Sequence, residues 1–242
     1  MTRRGPLLLV LLVAACGHTQ SVVSGLQPGV DVAQAALRGG SPQTALQLAS
    51  NVLATDPGNE AALVVQGDAL TELGRFNEAH DSYNRALQSN HDSVGAEVGL
   101  GRLHLTDDPQ AASVLFLQAL DHDPRNTKAL NDLGVALDLQ GKHEAAQAVY
   151  ARLLNLSPND RAASVNMALS LSLSGQPVRS VAMLRGAGSR PDAAPRVRQD
   201  LAVALALSGN TGEAEKLLLT DLSPSDAAAA LAGYRALGIT VK

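Results

Sequence analysis

Residues 127–158 have the sequence TKALNDLGVALDLQGKHEAAQAVYARLLNLSP, in which two amphipathic segments flank a glycine. Apolar and small residues recur every three or four positions on both sides of Gly141, as on one face of each of two helices. Pro158 follows the second segment, where a proline stops a helix. We therefore predict two short antiparallel helices joined by a turn at Gly141.

The same pattern recurs along the chain at intervals of about 34 residues. A single helix pair cannot bury its apolar face alone, so further copies are expected beside it. The turn glycine recurs at Gly40, Gly74, Gly141, Gly175 and Gly209. A small residue early in the second helix recurs at Ala45, Ala79, Ala112, Ala146, Ser180 and Ala214. These positions indicate six units, and the third unit lacks the glycine because its turn, residues 106–110, is one residue shorter.

The spacing of small and aromatic residues in the second helices resembles that of the tetratricopeptide repeat (TPR) family. Ala79, Tyr83 and Ala86 carry this resemblance in the second unit. It implies an all-α fold, an α-solenoid of about six TPR-like helix-turn-helix repeats. A repeat stack must cover its last apolar face, so we expect a capping helix over residues 224–238.

Composition narrows the function classes. The 242 residues are 45% hydrophobic and 17% charged, which is typical of an ordered globular chain. A formal net charge of −4, with no basic cluster, argues against nucleic acid as a partner. The single cysteine excludes an internal disulfide framework and a cysteine-based zinc site.

The N-terminus has the three parts of a secretory signal. Arg3 and Arg4 precede an apolar run at 7–13, which is far shorter than the roughly 20 residues of a membrane-spanning helix. The following LVAAC, ending at Cys16, resembles a bacterial lipobox, in which the cysteine is acylated and becomes the lipid-bearing terminus. More than one acyl chain would give stable anchoring.

These features divide the chain into three parts. We predict a lipoprotein signal peptide at 1–15, a lipidated cysteine with a polar tether at 16–29, and the solenoid at 30–242. By the sorting pattern of bacterial lipoproteins, Gly17 implies the outer membrane, with the solenoid facing the periplasm.

Catalytic constellations are not evident in the sequence. Residues 121–123, Asp-His-Asp, are the best metal candidate, but the pattern puts them in a turn between repeats where solvated polar residues are expected. A uniform helical repeat also offers no cleft with converging ionisable groups. We therefore predict a non-enzymatic protein with no catalytic residues, no metal ligands and no cofactor.

The first helices of TPR-like units line the concave face, and their residues outside the core stripe are the candidates for contacting a partner. They are Val64, Asp68, Asn131, Val135, Asp138, Val165, Leu169, Gln199 and Val203. Aliphatic residues recur among them without clustered Lys or Arg, which favours an amphipathic helix or an apolar peptide as the ligand. The alternative is that these aliphatics only pack against neighbouring helices.

The C-terminal third resembles the ending of the TadD family, TPR lipoproteins of tight adherence (Tad/Flp) pilus assembly. The matching segments are 195–202, 212–215, 221–224 and 231–237. The resemblance implies a pilotin-like adaptor whose partners include a pilus secretin or another Tad component. The alternative is a periplasmic TPR scaffold that recruits cell-wall or outer-membrane biogenesis enzymes.

Overall fold

The computed structural model describes residues 28–188 and 193–240, which form thirteen α-helices without strands. In chain order they are α1 (Pro28–Arg38), α2 (Pro42–Thr55), α3 (Glu60–Glu72), α4 (Phe76–Ser89), α5 (Val94–His104), α6 (Pro109–His122), α7 (Thr127–Leu139), α8 (His143–Leu156), α9 (Arg161–Leu173), α10 (Pro177–Gly188), α11 (Pro195–Leu207), α12 (Thr211–Leu218) and α13 (Pro224–Thr240). The all-α solenoid expected from the repeats is confirmed. Cys16 and the predicted signal peptide lie outside the described residues.

Six consecutive helix pairs make up the units, and α13 follows the last pair. We call the first helices (α1, α3, α5, α7, α9 and α11) the inner layer and the second helices the outer layer. Helix α1 begins at Pro28, two residues before the solenoid start expected from the sequence. Helix α13 runs to Thr240 and packs against α11 and α12, at the end of the stack where a capping helix was expected.

Glycines shape the turn inside most units. Gly40, Gly74, Gly141, Gly175 and Gly209 have φ angles between 70° and 88°. In this left-handed region a Cβ atom meets the backbone, which is why the glycine recurs. The third unit turns differently: the Asp108 side chain accepts a hydrogen bond from the Ala111 amide at 2.9 Å and caps α6. The shortened turn therefore works without the glycine.

Polar caps start the inner helices. Asn59, Ser93, Asn126 and Asp160 each precede an inner helix and accept a hydrogen bond from the backbone amide three residues later. Each cap satisfies an amide that the helix itself leaves without a partner. The inner helices of units two to five therefore begin at the same place in each repeat, which keeps their side chains in register.

The two layers pack differently in the two halves of the chain. Tyr83, Phe116 and Tyr150 are at most 1% exposed, and their rings lie against glycines of the inner helices. At Gly134, for example, an added Cβ would overlap the Tyr150 ring. In the last two units the ring position holds a leucine, Leu184 in the fifth unit, and the facing residue is an alanine.

Candidate functional site

The inner layer forms the concave face of the solenoid. Its helices contact one another in succession from α1 to α11, whereas outer helices in the described ranges do not make comparable contacts with each other. Because the inner helices are close together and the outer ones are spread apart, the stack curves towards its inner layer. The residues predicted to bind a partner all lie on these inner helices.

A chain of hydrogen bonds crosses this face from α5 to α9. Arg102 Nε donates to Asp132 Oδ2 at 2.6 Å and so joins α5 to α7. Asn131 Nδ2 donates to the other oxygen of Asp132 at 3.1 Å, and Asn131 Oδ1 accepts from Asn166 Nδ2 at 2.9 Å. The Arg102 side chain is 43% exposed and that of Asp132 is 11% exposed. Arg102 therefore lies at the surface and neutralises an acid held inside.

Asp138 lies at the junction of α7, α8 and α9. Its carboxylate accepts hydrogen bonds from Ser170 Oγ at 2.7 Å and from the Tyr150 hydroxyl at 3.2 Å. His143 Nδ1 also lies 2.8 Å from this carboxylate. With three partners inside the protein, Asp138 joins the fourth unit to the fifth. Its carboxylate is therefore engaged in holding the helices together and is not free to bind a partner.

A pocket of about 190 Å³ opens beside Asp138, between α7 and α9. It is lined by Val135, Asp138, Leu139, Tyr150, Asn166, Leu169 and Leu173. Three of the residues predicted from the sequence, Val135, Asp138 and Leu169, are thus brought together. The leucines and the valine supply apolar walls, and Asn166 and Asp138 supply a polar rim, which is the usual make-up of a ligand recess. We call these seven residues the inner pocket.

Sequence reasoning missed part of this lining. Leu139 and Leu173 are the last residues of their helices and each follows a predicted residue, Val135 or Leu169, by four positions. Side chains four apart lie on the same helix face, so this spacing was the available signal. Leu139 is 57% exposed, as expected for an apolar residue at the mouth of a pocket.

The other predicted residues have different surroundings. Val64 packs against Gly95 of the next inner helix. Val165 packs against the buried apolar cluster formed by α9 to α13. Asp68 accepts a hydrogen bond from the Tyr83 hydroxyl at 2.7 Å. Gln199 and Val203 are half-buried on α11, outside the lining of the inner pocket. Val64 and Val165 therefore pack against neighbouring helices in this structure.

Three carboxyl groups on the inner helices have raised pKa values. Burial raises the pKa of Asp68, and the hydrogen bond from Tyr83 opposes that rise. Burial raises the pKa of Glu97, while His122, with Nε2 at 3.5 Å, opposes it. Burial also raises the pKa of Asp200, and the charge of Arg196 opposes it. One carboxylate oxygen each of Glu97 and Asp200 is buried without a donor among the described residues.

A larger cleft, of about 550 Å³, lies between α2, α3 and α4. Its lining is mostly amide, hydroxyl and charged side chains, among them Gln47, Arg75 and Glu78, which are exposed. Arg75 and Glu78 are already bonded to each other at 2.6 Å. Because this cleft offers fewer apolar anchors than the inner pocket, we take the inner pocket as the candidate site.

Two further features are absent from the described residues, a metal-binding cluster and a helix that could cross a membrane. Across 28–188 and 193–240, groups of three or more His, Cys, Asp or Glu side chains suited to a metal ion are absent. The helices in the same ranges also lack the combination of length and apolar character that crossing a bilayer requires.

Comparisons with known proteins agree with the repeat architecture. A profile described as tetratricopeptide repeat matches residues 36–100 and 103–168, more than half of the chain. The uncharacterized protein y4yS of Sinorhizobium fredii is 39% identical over 64 residues, which are 25% of this chain and 35% of that protein. The match thus spans about a third of this relative.

Solved structures with the same fold include PilF and PilW. Pseudomonas aeruginosa PilF superposes with a TM-score of 0.67 at 16% identity, covering 80% of this chain and 88% of PilF. PilW, described as a widely conserved type IV pilus biogenesis factor, superposes with a TM-score of 0.69 at 23% identity, covering 80% of this chain and 92% of PilW. At these identities the similarity establishes the fold. Together with the matched profile and the six helix pairs, it shows that this chain belongs to the tetratricopeptide repeat family.

Proposed function

We propose that this chain is a non-enzymatic adaptor that binds a protein partner on its concave face during pilus assembly. The inner pocket carries the proposal, because it is a preformed recess with apolar walls on the layer where successive units meet. The shared fold with PilF and PilW supports the pilus context.

The chemistry of the face favours an apolar segment of the partner. Arg102, the cation between α5 and α7, is already bonded to Asp132 and so is not free to clamp a carboxylate. Leu139, Leu169 and Leu173 instead offer a recess for one or two aliphatic side chains. An amphipathic helix or an extended apolar peptide would bury that surface and anchor the partner.

Within pilus assembly, the proposed system is the tight adherence (Tad/Flp) pilus, and the proposed role is that of a pilotin for its secretin. The lipobox-like sequence ending at Cys16 supports a lipid anchor in the outer membrane, with the solenoid facing the periplasm. The C-terminal segments that resemble the TadD family support the choice of the Tad system. A pilotin needs both an anchor and a partner-binding face.

Deletion of the gene in its native host tests the proposal. We expect the deletion strain to lose surface Flp pili, counted by electron microscopy, and to contain fewer secretin multimers in outer-membrane fractions. Complementation with the wild-type gene should restore both. Normal piliation in the deletion strain would refute the pilus role, and a cell-wall defect in its place would favour the scaffold alternative.

Two matched variants separate pocket function from general surface effects. Leu139→Asp places a charge at the mouth of the inner pocket, at a residue that is 57% exposed. Leu117→Asp places the same charge on the outer helix α6, at a residue that is 51% exposed. We expect Leu139→Asp to fail in complementation and Leu117→Asp to succeed. Equal success of both variants would show that the pocket is not the binding site.

The lipid anchor is tested on its own. Cys16→Ser removes the thiol that acylation requires. We expect this variant to leave the membrane fraction or to accumulate as an uncleaved precursor, and to complement the deletion poorly. Unchanged fractionation would refute lipidation at Cys16 and would leave the pocket proposal intact.

A further inference from the structure

Two inner helices carry an aspartate at the same position. Asp132 is the sixth residue of α7, and Asp200 is the sixth residue of α11. They are 7% and 8% exposed, so water solvates neither carboxylate well. An acid buried in this way needs a cation or several donors to offset the cost of desolvation.

Asp132 receives its cation from the preceding inner helix. The donor is Arg102, the ninth residue of α5, whose Nε lies 2.6 Å from Asp132 Oδ2. The equivalent residue in front of Asp200 is Leu169, the ninth residue of α9. Helices α9 and α11 are in contact, as α5 and α7 are. The repeat therefore places a leucine where the neighbouring acid would need an arginine.

The surroundings of Asp200 do not replace that cation. Asp200 Oδ2 is buried without a hydrogen-bond donor among the residues that the structure describes. Arg196, on the same helix, is exposed and lowers the pKa of Asp200 only through its charge. Burial raises the pKa of Tyr234 of α13, and the negative charge of Asp200 nearby raises it further. Among the described residues, Arg196 thus acts on Asp200 through its charge alone, and Asp200 Oδ2 has no hydrogen-bond donor.

Leu169, at the position equivalent to Arg102, also belongs to the inner pocket. Leu169 lines that pocket together with Val135 and Leu173. A partner segment seated in the pocket would therefore run next to the position that Arg102 occupies two units earlier. Arg102 reaches its acid with a side chain that is 43% exposed, so this position is open to the concave face.

We propose that Asp200 binds a cationic side chain, arginine or lysine, carried by a protein partner beside the apolar residue that fills the inner pocket. The partner supplies to Asp200 in trans what Arg102 supplies to Asp132 in cis. The proposal rests on the protein-binding function proposed above for the concave face. It adds the chemical class of the ligand: an apolar residue with a basic residue near it.

The test uses a random 12-residue peptide library displayed on phage and selected on the purified full-length chain. We expect the selected peptides to be enriched in arginine or lysine near leucine, isoleucine or phenylalanine. Synthetic copies are then titrated by calorimetry against the wild type, Asp200→Asn and Asp121→Asn. Asp121 is an exposed acid at the end of α6, so its variant removes the same charge away from the face.

We expect Asp200→Asn to weaken these peptides by about ten- to a hundredfold, the usual size of a charge-assisted hydrogen bond. Asp121→Asn should change affinity less than about twofold, since exposed charges at a distance are screened. Replacing the basic residue of the peptide by citrulline or acetyl-lysine should weaken its binding to the wild type by the same factor. The same replacement should not weaken binding to Asp200→Asn any further.

The outcomes separate this inference from the proposed function. If the peptides bind the wild type and Asp200→Asn equally, and Leu139→Asp abolishes their binding, the role of Asp200 is refuted. The inner pocket would then remain the proposed binding site. A library that yields no peptide sensitive to Leu139→Asp would overturn both.

Leu169→Arg gives a second test that needs no ligand. It places an arginine at the position equivalent to Arg102, so we expect the pKa of Asp200 to fall. NMR titration of the Asp200 carboxyl group measures this change. An unchanged pKa would show that residue 169 cannot reach Asp200, and would refute the proposal.

Discussion

The second to fourth units and the last two units bury the same face of the repeat with different residues. In the former, the rings of Tyr83, Phe116 and Tyr150 lie against glycines of the inner helices. In the latter, Leu184 and Leu218 take the ring position against alanines. The repeat fixes the combined volume of the two facing residues, and either a ring with a glycine or a leucine with an alanine fills it.

The acids of the inner layer differ in the same two regions. Asp132, between the third and fourth units, is bonded to Arg102. Asp200, between the fifth and sixth units, has a buried oxygen without a donor among the described residues. Asp132 thus has its cation within the chain, whereas Asp200 has none bonded to it in the part of the chain that the structure describes. Asp200, towards the C-terminal end, is the acid for which we propose a cation supplied by the partner.

Among the changes that test this comparison, removing a ring should lower the stability of the protein most. Tyr150→Ala deletes a side chain that is 1% exposed and also the hydroxyl bonded to Asp138. We expect the free energy of unfolding, measured by urea denaturation followed by circular dichroism, to fall by about 3–5 kcal/mol. The matched Leu184→Ala leaves a smaller cavity and breaks no hydrogen bond, so its loss should be about 2–3 kcal/mol. Equal losses would show that the rings do not distinguish the two regions.

Converting one facing pair into the other is the next largest test. Gly134→Ala pushes a Cβ into the Tyr150 ring. We expect a loss of about 1–3 kcal/mol from overpacking, although alanine favours a helix over glycine by about 1 kcal/mol. The double variant Gly134→Ala with Tyr150→Leu copies the pair found in the fifth unit. It should be more stable in urea than the sum of the two single changes predicts, and strict additivity would contradict the volume argument.

Arg102→Leu turns the interface between the third and fourth units into a copy of the one between the fifth and sixth. Asp132 would then be buried without its cation. We expect a loss of about 1–2 kcal/mol, below the value for a fully buried pair because Arg102 is partly solvated. Adding Asp132→Asn should recover much of the loss, since the uncompensated charge is then gone. No recovery would mean that Arg102 stabilises the interface by packing and not by charge.

Much of the fold could be predicted from the sequence, because few residue types suit some of its positions. The turn at Gly141 needs a positive φ, and close approach of the helices needs a small residue at Ala146, so both recur visibly at the repeat period. Pocket residues are less constrained. Val135 and Leu169 were found by repeat position, but whether Leu139 faces the same recess depends on the curvature of the stack. Whether Asp200 has a hydrogen-bond donor depends on which residues of the neighbouring helices lie beside it. The pattern of one helix in the sequence does not give that information.

Asp200→Asn should have the smallest effect, and its sign is opposite to the others. The amide is neutral, so it avoids burying a charge, and we expect a gain of about 1 kcal/mol in the free energy of unfolding at pH 7. Burial raises the pKa of Asp200 in the folded protein. Below the unfolded pKa, near about 4, wild-type Asp200 is protonated in both states and the variant should gain nothing.

As the pH rises from the unfolded pKa towards the higher folded-state pKa, the unfolded chain releases the proton that the folded chain still holds, so the wild type loses stability relative to the variant. The gain should therefore grow above about pH 4 and level off once the pH exceeds the folded-state pKa. Urea denaturation of both proteins from pH 3.5 to 7.5 measures it, with Asp132→Asn as the matched control. Because Asp132 is paired with Arg102, that control should lose stability at pH 7. A gain for Asp200→Asn that does not vary with pH would come from packing, and a loss at pH 7 would mean that the folded chain already supplies a cation to Asp200.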